Sequence, residues 1–406
     1  MKKIIHVILV MLVLVACEKN FQPSIENVEL ENVMQDNKVS LNQALLHAEN
    51  RINGISSTTR SSDRKVKSTE VFVAKPATRS TEDVEVSFYL INYENNEGFA
   101  MVSTDSRATP VYAYSDEGNL NPEDFETNPG LKIFLEGSIE NYQIEVASTE
   151  APLPIELPDS SSSDITKLRI VEYDGGLYYI KKTSEIINRE KLLTTYWRQR
   201  SPYGDACPNG IGGCGPVAAA QIMAFHKHPA ERLFYTYDWN AMTITPTLSA
   251  GSDGATDAAA LILHIGSNAN ARYKNDATST SIGDMDDAFI SFSYSCSNPS
   301  SYDVNRVRDN IDARRPVYIR GGDWTNGHAW VIDGYDYTGY RTTYYYTYEP
   351  YDRYDTFITS SYIYFHCNLG WGADNEDQTT NNGYYFAYSL KYNNHLKVIY
   401  DITPNE

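Results

Sequence analysis

The period of the hydrophobic positions changes several times along the 406 residues, and each change predicts an element or a boundary. An apolar run, Ile4 to Val15, opens the chain and is followed by polar residues 18–38, which read as a tether. Ala44, Leu45, Ala48 and Ile52 then recur at helical spacing, so a short helix is predicted over 39–52 with Ser40 as its cap. Residues 54–82 are rich in Ser, Thr, Arg and Lys and predict a loop. From Val84 to Tyr93 the pattern alternates, Asn95 to Gly98 is a turn, and Phe99 to Ser103 is the return strand of a hairpin. Val111 to Tyr114 is a further strand, and Pro129-Gly130 opens a helix over 131–146. These elements make a small α+β domain over residues 39–150. Residues 151–164 are rich in Pro and Ser with no periodicity, so 151–190 reads as a linker and processing region.

The remaining residues, 191–406, place helices first and strands after. Helices are predicted over 214–228, 256–265, 282–292 and 304–312. Strands follow at 317–320, 329–333, 342–348, 362–367 and 383–386. Helices and then an antiparallel sheet is an α+β arrangement.

Within that pattern the stretch 212–229, GGCGPVAAAQIMAFHKHP, stands out. It is apolar nearly all round, so its helix should be buried. Pro216 suits the first turn, His226 to His228 suit the last, and Pro229 stops it. Gly212, Gly213 and Gly215 leave the approach to Cys214 open. A thiol at a helix N-terminus feels the positive end of the dipole, which favours the reactive thiolate. The alternative for Cys214 is a buried or disulfide-bonded cysteine.

Composition narrows the rest. A net charge of -19 argues against a nucleic acid partner, because a phosphate backbone needs clustered Lys and Arg. The 32 Tyr and 24 Gly fit an exported, β-rich chain. Met1-Lys2-Lys3, the apolar run and Leu14-Val15-Ala16-Cys17 resemble a bacterial lipoprotein signal over residues 1–17, with Cys17 as the lipidated residue. A membrane is expected as a partner only through that anchor, at the outer membrane or cell surface. The later cysteines, Cys207, Cys214, Cys296 and Cys367, allow two disulfides in three connectivities, and no pair has zinc-ligand spacing. No metal or cofactor is expected.

A thiolate nucleophile needs an imidazole partner. His226 and His228 lie at the far end of the helix that Cys214 begins, His264 reads as packing, and His47 belongs to the leading domain. His328 starts a strand directly after Gly327, which gives it access to a cleft, and is the candidate base.

The run Gly-Cys-Gly-Pro-Val-Ala-Ala-Ala-Gln-Ile-Met at 213–223, with Gly-His-Ala-Trp-Val-Ile-Asp-Gly-Tyr at 327–335, resembles the streptopain family of papain-like cysteine peptidases. Trp197-Arg198-Gln199, Ser201-Pro202-Tyr203 and the run from His366 to Gly372 resemble its other landmarks, in order. Residues 84–146 look similar to the inhibitory pro-domain that precedes such enzymes. The resemblance implies a papain-like fold for 191–406 behind a small α+β pro-domain, and an exported cysteine endopeptidase made as a zymogen. Its partners would be protein or peptide substrates and its own pro-domain as inhibitor. Cys214 would be the nucleophile and His328 the base. Gln199 would donate to the oxyanion beside the Cys214 backbone N–H, and Asn368 would accept from the far nitrogen of His328. Trp371 would shield that contact, and Gly327 and Trp371 would border the substrate. Leu369 departs from the Trp that commonly follows the Asn in this family. It leaves open an alternative, a non-catalytic binding or adhesion lipoprotein on the same fold.

Overall fold

The computed structural model describes residues 37–55, 64–75, 85–148, 169–173, 176–322, 327–346, 354–371, 381–391 and 395–405. The N-terminal apolar run with Cys17, the Pro- and Ser-rich stretch, Asn326 and Gly372 lie outside them.

The leading domain starts with helix α1, Leu41–Ile55. The Ser40 hydroxyl accepts from the Gln43 N–H at 3.3 Å, and the Ser40 N–H donates to Gln43 Oε1 at 2.9 Å, so the two ends cap each other. Ala44, Ala48 and Ile52 form its fully buried stripe. Strands β1 (Val66–Ala74), β2 (Val86–Tyr93), β3 (Phe99–Ser103) and β4 (Val111–Ser115) follow, then helix α2 (Pro129–Ala147). Asn128 caps α2, its side chain accepting from the N–H groups of Gly130 and Leu131, with Pro129 in the first turn.

Strand β1 corrects the expected loop over 54–82. It is an edge strand, exposed along most of its length, held to β2 by backbone pairing from Ala74–Val86 to Val66–Tyr93. With so little side-chain burial, its sequence carries no apolar alternation to read. The expected linker and processing region needs the same correction. Its second half holds β5 (Arg169–Tyr173) and β6 (Gly176–Arg189). Tyr, Ile and Val give that segment strand propensity once the Pro and Ser residues end.

The C-terminal part supplies helices α3 (Cys214–His226), α4 (Asp253–Asn268), α5 (Ile282–Ser291) and α6 (Val304–Asp312). Strands β7 (Val317–Gly321), β8 (His328–Tyr346), β9 (Tyr354–Asn368), β10 (Gly383–Phe386) and β11 (Lys397–Ile399) come after them.

Among the described residues, eleven strands join in one sheet, in the order β1-β2-β3-β4-β10-β9-β8-β7-β11, with β6 on the far part of β8 and β5 beside it. The leading domain and the C-terminal part share this sheet. They meet where β4 pairs with β10, Tyr114 opposite Tyr384 and Ala113 opposite Tyr385.

Two cores flank β7 and β8. On one face Val317, Ile319, Trp330 and Ile332 pack with Leu131 and Phe134 of α2. On the other face Tyr318, Ala329 and Val331 pack with Val217 and Ile222 of α3. Period-two alternation sends successive residues of each strand to opposite helices. The sheet therefore lies between α2 of the leading domain and the helix that begins with Cys214.

Candidate active site

Helix α3 is buried from Gly215 to Ala224, as its all-round apolar sequence requires. Gly213 precedes it at φ +85°, a conformation that costs a residue with a Cβ but not glycine. Cys214 takes the first helical position, half-buried, with its side chain toward β8.

Its thiol hydrogen-bonds to His328 at the start of β8. Burial alone would push the thiol up. The hydrogen bond and charge of His328, the Ala329 backbone N–H and the Arg320 guanidinium outweigh burial and hold it below its ordinary value. The other described cysteines go the opposite way. Burial raises Cys207 and Cys367, and burial with Asp286 and Asp287 pushes Cys296 up to about 11. All four are free thiols, so none of the disulfide connectivities forms.

His328 is 1 % exposed. Its Nε2 lies 2.7 Å from the Leu369 carbonyl oxygen. A carbonyl can only accept, so Nε2 carries a proton and Nδ1 is left for the sulfur. The Trp371 ring meets the imidazole edge-on at 5.7 Å between centroids, and the Trp330 ring lies nearly parallel to it at 6.1 Å.

This corrects the role expected of Asn368. The residue is 1 % exposed and its amide is fully engaged elsewhere. Its Nδ2–H donates to the Thr195 carbonyl at 2.7 Å and to Gln221 Oε1 at 3.2 Å. Its Oδ1 accepts from Gln221 Nε2 at 3.2 Å and from the Gly370 N–H at 3.2 Å. Gln221 also accepts from the Trp197 N–H at 3.0 Å. Asn368 thus ties α3 to the end of β9, and the next residue's backbone reaches the imidazole. Sequence reasoning missed Gln221 and the Leu369 carbonyl. A polar residue in an otherwise apolar helix was the available signal for Gln221, whereas a backbone acceptor leaves no trace in residue identity.

Gln199, Gly327 and Trp371 line one cleft together with Cys214 and His328. The cleft has a volume of about 220 Å³, and Arg198, Arg200 and Asp276 add charge to its rim. The leading domain reaches it too, through Pro129. The first turn of α2 lies so close that a Cβ on Gly130 would stand 3.0 Å from His328 Cδ2 and 3.0 Å from Leu369 Cδ2. A side chain there would press on both and make them give way. Asn128 Nδ2–H donates to Asn381 Oδ1 at 3.2 Å, and Asn381 Nδ2–H donates to the Asn119 carbonyl at 3.0 Å, which holds that turn against the C-terminal part.

Comparison with known proteins matches two families in turn. Residues 36–142 match the Spi protease inhibitor, and residues 197–385 match the Peptidase C10 family. The thiol protease/hemagglutinin PrtT of Porphyromonas gingivalis is 22% identical over 307 residues, 66% of this chain and 33% of that protein. Streptopain of Streptococcus pyogenes is 23% identical over 321 residues, 64% of this chain and 74% of streptopain. The chain thus spans about a third of PrtT and about three quarters of streptopain. Among solved structures, a fragment of Prevotella intermedia prointerpain A aligns with a TM-score of 0.52 at 19% identity, covering 82% of this chain and 98% of that one, a likeness of fold.

Proposed function

The chain belongs to the Peptidase C10 (streptopain) family, its C-terminal part a cysteine peptidase domain behind an inhibitor domain, and from that premise we propose that it is an exported endopeptidase made as a zymogen. Cys214 attacks the peptide carbonyl as a thiolate. His328, as imidazolium, gives its proton to the leaving amine and then takes one from the water that hydrolyses the thioester. The Gln199 side-chain amide and the Cys214 backbone N–H face the oxyanion. The Leu369 carbonyl holds the imidazole by Nε2, and the ring of Trp371 covers its edge. The observation that carries this reading is the Cys214–His328 hydrogen bond at the head of a buried helix, inside the cleft.

The leading domain, 39–150, is the inhibitor. Its α2 closes over His328 at Gly130, and cleavage in the Pro- and Ser-rich stretch 151–164 frees the cleft. Substrates are proteins or peptides. Residues 1–17 act as a lipoprotein signal, and Cys17 anchors the chain at the outer membrane or cell surface. The non-catalytic alternative rested on Leu369. A backbone carbonyl makes the imidazole contact there, and it is indifferent to the side chain.

The test is mass spectrometry of the chain without its first seventeen residues after incubation with an epoxysuccinyl inhibitor. The expected result is a single adduct on Cys214 and loss of the leading domain, with the Cys214→Ala chain remaining full length. An unmodified Cys214, even after an added protease has cut the chain, would exclude a peptidase.

A further inference from the structure

Gln221 is a polar residue inside the apolar helix α3, fully buried, and the mechanism does not use it. It lies seven residues on from Cys214, two turns along the same face and about 10 Å away, so it does not touch the reacting atoms. A buried amide is costly unless its hydrogen bonds are made. Gln221 Oε1 accepts from the Trp197 N–H at 3.0 Å, from the Thr195 hydroxyl at 3.1 Å and from Asn368 Nδ2 at 3.2 Å. Its Nε2 donates to Asn368 Oδ1 at 3.2 Å. Thr195 and Trp197 lie in the stretch 193–198, which belongs to no helix or strand. Buried side chains hold its backbone where a strand partner otherwise would. Asp333 accepts from the Leu193 N–H at 2.9 Å, Asn368 donates to the Thr195 carbonyl at 2.7 Å, and Gln221 takes the Trp197 N–H. Gln199 comes two residues after Trp197, and its carbonyl accepts from the Gly212 N–H at 2.7 Å. Gln199 is thus tied at two points to the chain that carries Cys214, ahead of itself through Gln221 and at its own carbonyl through Gly212.

We infer, resting on the cysteine-peptidase reading with Gln199 as an oxyanion donor, that Gln221 is a positioning residue: it sets where Gln199 presents its amide relative to the Cys214 backbone N–H. Two donors serve one oxyanion only if their separation is held to within about 0.5 Å before the reaction. The Cys214 N–H belongs to α3, whereas Gln199 does not. The Gln221 bonds tie the Gln199 segment to that same helix, so both donors share one frame. Gln199 and Cys214 line the same cleft. Trp197 is fully buried and stacks on Tyr203 with ring centroids 5.6 Å apart. That packing keeps the stretch in the core when a polar anchor is removed, and leaves the fine placement of Gln199 to the anchor.

The test uses the full chain, cut in 151–164 by a serine protease that is then inhibited. Hydrolysis of dye-labelled casein is followed for the native protein, Gln221→Met, Gln199→Ala and the double variant, beside alkylation of Cys214 by iodoacetamide over a range of pH. Methionine fills nearly the same volume without an acceptor. Iodoacetamide reacts without forming an oxyanion, so it reports on the nucleophile and not on the oxyanion donors. Gln221→Met should lower kcat on casein by on the order of tenfold with KM little changed, while the rate and pH profile of alkylation hold. In the Gln199→Ala background the same change should cost less than about twofold, because the group it places is gone. A folded Gln221→Met chain with the native kcat overturns the inference. So does a loss as large in the Gln199→Ala background, or a fall in alkylation that matches the fall in kcat, since either marks general support of the core. If Gln221→Met does not fold, Gln221→Asn, an amide one methylene shorter, takes its place and the same outcomes decide. If Gln199→Ala hydrolyses casein at the native rate, the inference falls and the peptidase reading stands. If the native cut chain leaves casein intact and its Cys214 reacts no faster than Cys207 or Cys296, the peptidase reading fails and the inference with it.

Discussion

At the scale of single residues, the Cys214 thiol is set by opposing forces. Burial disfavours the thiolate, while His328, the Ala329 N–H and Arg320 favour it and prevail. Iodoacetamide at neutral pH should therefore label Cys214 well before Cys207, Cys296 or Cys367, all of which burial raises. His328→Ala should move the Cys214 pH–rate profile upward, because it removes both the hydrogen bond and the charge; peptide-resolved labelling measures it. Asn368→Ala should behave differently. It strips partners from Gln221 and the Thr195 carbonyl, all buried, so a loss of about 1–3 kcal/mol in stability is expected. The Nε2 contact of His328 stays with Leu369, so the pH profile of alkylation should hold while thermal unfolding shifts down. A profile that moved as far as in His328→Ala would restore Asn368 as the orienting group.

At the scale of elements, α2 is the part of the leading domain that meets the chemistry. It docks by close approach of its backbone at two glycines. Gly130 faces His328 and Leu369, and at Gly137 a Cβ would lie 1.9 Å from the Ser389 carbonyl oxygen, in the helix Ala387–Lys391. A methyl group cannot fit at Gly137 without moving backbone. Gly137→Ala should destabilise the chain by roughly 1–3 kcal/mol and lift α2 from the sheet. Calorimetry reads the first effect, and faster labelling of Cys214 by an epoxysuccinyl inhibitor in the uncleaved chain reads the second. Slower or equal labelling would mean that α2 does not govern access to the cleft. The same contact explains why a helix with no catalytic residue type borders the site: what matters is how near its backbone comes, and a run of residue types does not express that.

At the scale of the whole molecule, the inhibitor and peptidase parts are joined by one sheet and by polar anchors. Arg51 of α1 donates to Thr338 Oγ1 at 2.9 Å and lies 3.8 Å from Asp336, which also accepts from the Tyr114 hydroxyl. With both charged side chains mostly buried, Arg51→Met leaves Asp336 short of its cation, and unfolding experiments should show a loss of about 3 kcal/mol. Glu117 forms a second anchor, accepting from Lys191 Nζ at 2.7 Å and from the Tyr196 hydroxyl at 2.5 Å. Burial pushes the Glu117 carboxyl up, but Lys191 and Tyr196 outweigh it and hold the group below its ordinary 4.5. A depressed carboxyl stabilises the fold above that ordinary value, and the contribution is lost as the pH falls through the lowered one. Glu117→Gln should thus cost about 1 kcal/mol at neutral pH and nothing in strong acid, measured as the gap between the two melting curves. A gap that persisted in acid would exclude Glu117 as a titrating anchor. The sequence by itself determined the elements whose burial is one-sided or complete, such as α3 and β2, because apolar periodicity records which face meets a core; it divided β8, one strand over His328–Tyr346, into two shorter strands. It also singled out Cys214 and His328, whose side chains carry their chemistry in their identity. Only the tertiary structure decided that β1 is a strand, that Asn368 braces α3 while the Leu369 carbonyl holds the imidazole, and that Gly130 lies against His328. Those features rest on backbone pairing, backbone acceptors and close approach between residues far apart in the chain, which are properties of position in space and leave little mark on the order of residue types.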